Sequence, residues 1–359
     1  MKLSRTKNKG GKAATQVDIM LESGEVLLSV NVRPSYVTYT EEKSFLTFFV
    51  RHDPKLSEQE VDDMYDLIEW AGTQPWSNGK VGMHGVSYLA WSQWKVAAAN
   101  PPHLAAINPW EGVSDFYREL AMHGGMPESL FCIMWQSNVH FSSTRVEDFL
   151  AMQKAHPLYD EYWQSKNADL SKITVPAFVV ASWCDHGLHC RGTIEGFKQI
   201  SSEHKWLLVH GRKKWWHFYQ PENVEKQRQF FNRFLKGIEV DNHVEEWPRV
   251  MIEVRERFYV GEMRSEREWP LARTQYTPYY LDAVDGSMST TPAQAESTVR
   301  YNADRHYDVN LNDGNVTPYF REAVAAVTHK LAEEEPAQPR QAVFELQFAE
   351  ETELTGHMK

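Results

Sequence analysis

The run Val81-Gly82-Met83-His84-Gly85-Val86-Ser87-Tyr88 has the form of a strand turning sharply into a helix through Gly-x-Ser. A serine hydroxyl is a weak nucleophile until a base takes its proton, and a turn of this kind holds the Oγ clear of the sheet, where a base can reach it. The N–H of Tyr88, at the start of the following helix, then stands where an oxyanion would develop. The small residue usual two positions after the serine is replaced by Leu89, with Ala90 next to it. A Gly-x-Ser match also describes an ordinary buried serine in a turn, so the reading depends on a base and an acid supplied from elsewhere.

In this arrangement the acid follows a later strand and the histidine follows the last one, in the order serine, acid, histidine. Asp185 comes directly after the apolar run Val175 to Ser182, and His210 ends the run Trp206 to Val209. The expectation is that His210 takes the Ser87 proton while Asp185 fixes the imidazole tautomer and balances its charge. His217 is the alternative base, because loops after the last strand vary in length. Asp185 could instead cap a turn before Gly187, and His210 could be a satisfied core histidine.

The cluster Cys184-Asp185-His186-Gly187-Leu188-His189-Cys190 has metal-like composition, but its spacing matches no common zinc pattern, and neither a metal nor another cofactor is expected. Glu111, Asp115 and Glu119 recur every four residues after Trp110. On one side of a helix entrance they would either favour the helix N-terminus or recognise a cationic amino group of a substrate.

The elements that must position these residues are legible in the periodicity. Ser57 and Glu60 form a capping box, and Val61, Met64, Tyr65 and Ile68 repeat with helical spacing, predicting a helix to about Ala71. A turn from Gln74 to Gly79 leads to a strand from Lys80 to His84, and the helix opened at Tyr88 stops at Asn100-Pro101-Pro102. Strands are expected at Leu104 to Ile107, Val175 to Ser182 and Trp206 to Val209. Helices are expected at Arg191 to about Ser202 and at Pro221 to Lys236, the latter closed by Gly237. This alternation is that of an α/β protein with a mostly parallel sheet and helices on both faces.

Residues 114–170 carry Met, Trp and Phe without a clear strand and read as a helical cap over the sheet's C-terminal edge. Residues 1–56 hold two strand-like runs, Glu25 to Val32 and Ser44 to Val50. From 241 to 359 the pattern becomes β-rich, with strand candidates at Val250 to Glu256, Thr277 to Asp282 and Val343 to Phe348 and one helix candidate at Glu322 to Glu335. The chain thus divides into an N-terminal segment at 1–56, a catalytic domain at 57–240 and a second domain at 241–359.

With 359 residues and 42% hydrophobic content the chain can bury sizeable cores, and a net charge of −11 disfavours nucleic acid and anionic membranes as partners. A small molecule or short peptide is the expected substrate. Three cysteines fit no disulfide framework and suggest a reducing, cytoplasmic setting. No run reaches the roughly 18 apolar residues of a membrane span, and the basic N-terminus lacks the apolar core of a secretory signal, so a soluble chain is expected.

Gln74-Pro75-Trp76-Ser77-Asn78-Gly79-Lys80-Val81-Gly82, Gly85-Val86-Ser87-Tyr88, Gln93-Trp94, Pro101-Pro102-His103-Leu104, Pro109-Trp110-Glu111-Gly112 and Ser114-Asp115 with Tyr117-Arg118-Glu119 together resemble the cocaine esterase and Xaa-Pro dipeptidyl-peptidase family. Phe230-Phe231, Phe234-Leu235-Lys236-Gly237, Trp269-Pro270-Leu271-Ala272-Arg273-Thr274 and Glu353-Leu354-Thr355-Gly356-His357 extend the resemblance to the β-rich part. It implies an α/β-hydrolase fold with a helical cap, a C-terminal jelly-roll, and hydrolysis of esters or Xaa-Pro peptides through an acyl-enzyme without a cofactor. Ser87 and Asp185 match the family's nucleophile and acid. Its histidine often stands a few residues beyond the strand, in a Trp-x-His setting to which Trp215-Trp216-His217 is loosely similar.

Two departures qualify that expectation. Members of the family begin with a longer segment that carries early strands, an oxyanion-hole tyrosine and an Arg-Gly-x-Gly-x-Ser stretch, which residues 1–56 do not show. The chain also stops at Lys359, where the family's sandwich would continue. The alternative to a working serine hydrolase is therefore a truncated, catalytically impaired relative that acts by binding. An open sandwich edge would favour homo-oligomers.

Overall fold

Between residues 81 and 266 the apolar strands assemble one six-stranded sheet, and the helices between them cover both of its faces. The structure is a computed structural model and describes residues 15–20, 26–32, 58–128, 131–139, 147–301 and 342–355. Near the N-terminus, β1 (Thr15–Met20) and β2 (Val26–Val32) form an antiparallel pair. The expected strand Ser44 to Val50 lies outside the described residues, as does the expected helix Glu322 to Glu335.

The capping-box helix is α1 (Glu58–Gly72), and the elbow motif lies between β3 (Val81–Val86) and α2 (Tyr88–Ala98). β4 (Leu104–Trp110) follows. The cap then comprises one π-helical turn at Tyr117–Ala121, a short hairpin of β5 (Met122–His123) and β6 (Met126–Pro127), and three helices, α3 (Phe131–Val139), α4 (Phe149–Ala155) and α5 (Glu161–Lys166). β7 (Ala177–Ser182), α6 (Cys190–Gln199), β8 (Lys205–His210), α7 (Lys214–Phe218) and α8 (Pro221–Lys236) complete the alternation, with Gly237 at φ 65° closing α8 as expected of a left-handed C-terminal cap.

The sheet does not stop at residue 240. β9 (Val250–Arg257) pairs parallel to β8, and β10 (Val260–Glu266) pairs antiparallel to β9, giving the order β10-β9-β8-β7-β4-β3. The run Val250 to Glu256 thus forms a strand, as expected, and that strand joins the six-stranded sheet. Val250 and Ile252 are fully buried against it, which is the burial that recruits the strand. Beyond it, β11 (Tyr280–Asp282) and β12 (Ser287–Ser289) make a hairpin, and Glu345 joins Ser287 as a single bridge rather than within a continuous strand.

Every residue of β7 is buried, as a central parallel strand requires when helices cover both faces. Alternate residues feed two cores. Ala177, Val179 and Ala181 pack with α1, α2, α6 and the cap, while Phe178 and Val180 pack with Trp110, Trp206, Leu208 and Phe230 beneath α8. Phe230 is wholly buried there, among the rings of Phe178, Trp206 and Phe234. Replacing Phe230 with Ala is expected to cost about 3–5 kcal/mol of folding stability. Urea denaturation of the purified variant checks this, and a loss below about 1 kcal/mol would contradict the assigned packing.

Candidate active site

The site is built at the C-terminal edge of the parallel strands. Ser87 has φ 66° and ψ −119°, a backbone conformation that an L-residue seldom adopts and that throws its side chain out of the β3–α2 turn. Its N–H is shared between the carbonyls of Trp110 (3.1 Å) and Glu111 (3.0 Å) at the end of β4, while its own carbonyl accepts from Ala90 and Trp91 to start α2. A Cβ on Gly85 would lie 2.4 Å from Leu89 Cβ, so the tight passage from strand to helix requires glycine there. Tyr88 opens α2, at the helix end where the dipole is positive, and its hydroxyl donates to the buried Glu60.

Ser87 Oγ lies 3.1 Å from His189 Nε2, and His189 Nδ1 lies 2.5 Å from Asp185 Oδ2. Both partners come from the loop joining β7 to α6, in which the Asp185 carbonyl accepts from the N–H groups of Leu188, His189 and Cys190. The backbone thus folds so that two side chains four residues apart meet. Lys214, the first residue of α7, places its Nζ 2.7 Å from Asp185 Oδ2 and 2.9 Å from His189 Nδ1. Asp185 and His189 are buried, and Ser87 is half-buried.

Burial favours the neutral form of Asp185, but the adjacent His189 and Lys214 outweigh it and hold the carboxyl well below the usual carboxylate range. Burial, and then the Lys214 charge, push His189 below the usual imidazole range against the pull of Asp185. The ring is therefore uncharged at neutral pH. With Nδ1–H toward Asp185, the Nε2 lone pair faces the Ser87 hydroxyl.

His210, expected as the base, does not make this contact, and the structure corrects that expectation. Its Nδ1 accepts from the Arg212 N–H (3.1 Å), and its Nε2 stands 3.2 Å from Glu111 Oε1. His217, the alternative base, stacks on the His210 ring at 3.7 Å between centroids, and burial lowers its pKa to about 4. Both rings belong to a buried cluster with Trp110 beside the site.

The three carboxylates after Trp110 have separate surroundings. Asp115 pairs with Arg118. Glu119 accepts from the N–H groups of Ser114 (2.7 Å) and Asp115 (2.8 Å) and from the Ser114 hydroxyl (3.0 Å). Glu111 is fully buried between His210 and Asp185. Of the cysteines in the metal-like cluster, Cys184 donates from Sγ to the Gly211 carbonyl (3.2 Å), and burial pushes the Cys190 thiol far up its range.

A turn-borne serine on an imidazole that is itself on a carboxylate, at the C-terminal edge of a mostly parallel sheet, defines a site of the α/β-hydrolase type. The comparisons agree with that class. Residues 51–148 and 140–219 match the X-Pro dipeptidyl-peptidase (S15 family) model, and residues 242–359 match the X-Pro dipeptidyl-peptidase C-terminal non-catalytic domain. The chain belongs to this CocE/NonD-type X-Pro dipeptidyl-peptidase family of serine hydrolases.

It is 27% identical to the cocaine esterase of Rhodococcus sp. (strain MB1 Bresler) over 297 residues, which are 66% of this chain and 50% of that protein. A crystal structure of a CocE/NonD family hydrolase from Staphylococcus aureus superposes with a TM-score of 0.62 at 44% identity, covering 67% of this chain and 44% of the other. The chain spans about half the length of these relatives. Among the described residues no helix is long and apolar enough to cross a membrane.

Glu111 generates a prediction about stability. Burial, then the charge of Asp185, raise its pKa well above 4.5, against the attraction of Lys214. In the unfolded chain the group ionises near its ordinary value, whereas in the fold it keeps its proton. Its contribution is thus fully present below the unfolded pKa and is lost as pH rises toward the folded one. Glu111→Gln, a neutral isostere, removes that loss. Relative to wild type, the variant should gain stability between pH 5 and pH 8, by up to about 1.4 kcal/mol for each pH unit over which only the folded state holds the proton. Urea unfolding at the two pH values checks it, and an unchanged difference would show Glu111 to be ionised in the fold.

Proposed function

We propose that this chain hydrolyses an ester through an acyl-enzyme, with Ser87 as nucleophile, His189 as general base and acid, and Asp185 as the residue that orients and balances His189. The contact that carries the reading is Ser87 Oγ to His189 Nε2 at 3.1 Å, with His189 Nδ1 in turn 2.5 Å from Asp185 Oδ2. Ser87 Oγ attacks the acyl carbonyl carbon as its proton passes to His189 Nε2. The Tyr88 N–H stabilises the oxyanion of the tetrahedral intermediate. Collapse breaks the bond to the leaving group, which takes the proton from Nε2. Water then attacks the acyl-serine by the same route, and the acid departs with the Ser87 hydroxyl restored.

The X-Pro dipeptidyl-peptidase models favour a peptide substrate, and the cocaine esterase relative favours an ester. An Xaa-Pro substrate brings an α-ammonium group that needs an anionic partner. Asp115 pairs with Arg118, Glu119 accepts from Ser114 and Asp115, and burial favours the neutral acid at Glu111, and these observations support the ester. The other reading from the sequence, an inactive relative that acts by binding, requires Ser87 not to react.

Two substitutions test the assignment. Ser87→Ala and His189→Ala are each expected to lower turnover of a p-nitrophenyl ester by at least about 10⁴-fold and to abolish labelling by a fluorophosphonate. His210→Asn should leave the label on Ser87, as read by peptide mapping. Wild-type protein that folds but neither turns over nor labels would support the binding reading. Faster cleavage of an Xaa-Pro chromogenic dipeptide than of the simple ester would overturn the substrate choice.

A further inference from the structure

Lys214 occupies an unusual place for a lysine. Its ammonium, with its side chain only 14% exposed, lies 2.7 Å from Asp185 Oδ2 and 2.9 Å from His189 Nδ1, while the same Oδ2 is 2.5 Å from Nδ1. One carboxylate oxygen therefore serves both a lysine and the imidazole. An ammonium has only donors to offer, so a protonated His189 would set two cations in contact over a single anionic oxygen.

We propose that Lys214 is a positioning residue of this site, whose fixed positive charge keeps His189 unprotonated in the resting protein and so able to accept the Ser87 proton. This rests on the reading of Ser87, His189 and Asp185 as nucleophile, base and acid.

The surroundings support a built position. Lys214 follows the loop after β8, and that loop is tied down on three sides. The Gly211 N–H donates to Glu253 Oε2 (2.8 Å), the Arg212 guanidinium pairs with Glu253 Oε1 (2.6 Å), and the Ser182 hydroxyl donates to the Arg212 carbonyl (2.8 Å). Holding a lysine still in this way costs side-chain entropy that a solvated surface lysine would not lose.

The charged groups that act on His189 are Asp185 on its own loop and Lys214 on α7; Asp185 is in turn acted on by Glu111 at the end of β4, and Cys190, next to His189, feels Asp185, Glu111, Cys184 and Arg255, while His210 lies among His217, Arg212 and Asp185. Burial, and the charge of Asp185, favour the neutral acid at Glu111, so Asp185 is the anion and Lys214 the cation in direct contact with the ring. Burial first, and then Lys214, depress the basicity of His189, whereas Asp185 raises it.

The pH dependence of fluorophosphonate labelling at Ser87 tests this without knowledge of the natural substrate. In wild type the acid limb should lie below pH 6.5. In Lys214→Met the opposing charge is gone while Asp185 remains, so the limb should move up by about one pH unit or more. Lys214→Arg keeps the charge and should keep the limb within a few tenths of a unit of wild type.

An unmoved limb in Lys214→Met, or an equal shift in Lys214→Arg, would overturn the proposal. Should Lys214→Met not fold, ¹⁵N-histidine spectra of the wild-type protein decide, with the His189 signal assigned by its loss in His189→Gln. A neutral ring at pH 6.5 is expected, and an imidazolium there would refute the role of Lys214. Labelling that survives Ser87→Ala would instead sink the underlying assignment, whereas Ser87-dependent labelling with an unmoved limb would sink Lys214 alone.

Discussion

The site depends on backbone hydrogen bonds that continue the parallel sheet beyond its last paired residues. Ser87 N–H is held by the carbonyls of Trp110 and Glu111, Glu111 N–H by Val180 (2.7 Å), and Trp183 N–H by His210 (2.7 Å). These bonds lace the ends of β3, β4, β7 and β8 into one edge, from which the functional side chains project. Two residues on this edge, Ser87 at φ 66° and Glu111 at φ 53°, hold left-handed backbone conformations and are bonded to each other. Strain of order 1–3 kcal/mol at such a position persists only where the surroundings over-determine it. Here β4 and β7, buried along nearly their whole length, do so.

The electrostatics follow from the same crowding. Taking a carboxylate out of water is costly unless it is paired, and the edge brings two carboxyl groups, Asp185 and Glu111, into one buried volume. Two carboxyl groups that close cannot both ionise cheaply. Asp185 takes the charge because Lys214 and His189 face it, and Glu111 stays neutral beside His210 and His217, whose own charging burial suppresses. His210 and His217, the two histidines that chain order offers as a base, thus form with Glu111 a layer beside Asp185 in which burial favours the neutral forms. Burial separates the roles of chemically similar groups that stand only a few residues apart.

Much of this was legible from pattern. The glycine-serine turn, the capping-box helix and the Pro-to-Gly limits of α8 each rest on local geometry, and each lies where its residues imply. What failed depended on tertiary context. Chain order points to a histidine after the last strand, yet the histidine beside Ser87 is His189, in the loop that also carries Asp185. A signal was present, since Asp185 and His189 are separated by the one-turn spacing that lets side chains meet at a helix start.

Carrying the proposed acid and base on one loop changes what the fold must control. When the two lie after different strands, three separate segments must keep register for the hydroxyl, ring and carboxylate to align. Here the Asp185 carbonyl accepts from the N–H of His189 itself, so Asp185 and His189 form one local unit and only its placement against the Ser87 turn remains to be fixed. The loop after β8, at the corresponding edge, delivers the ammonium of Lys214. A cation there leaves the buried carboxylate compensated without a proton on the ring. The arrangement accordingly trades strength of the base for its availability, because a less basic imidazole takes the serine proton less readily but is unprotonated over a wider range of pH.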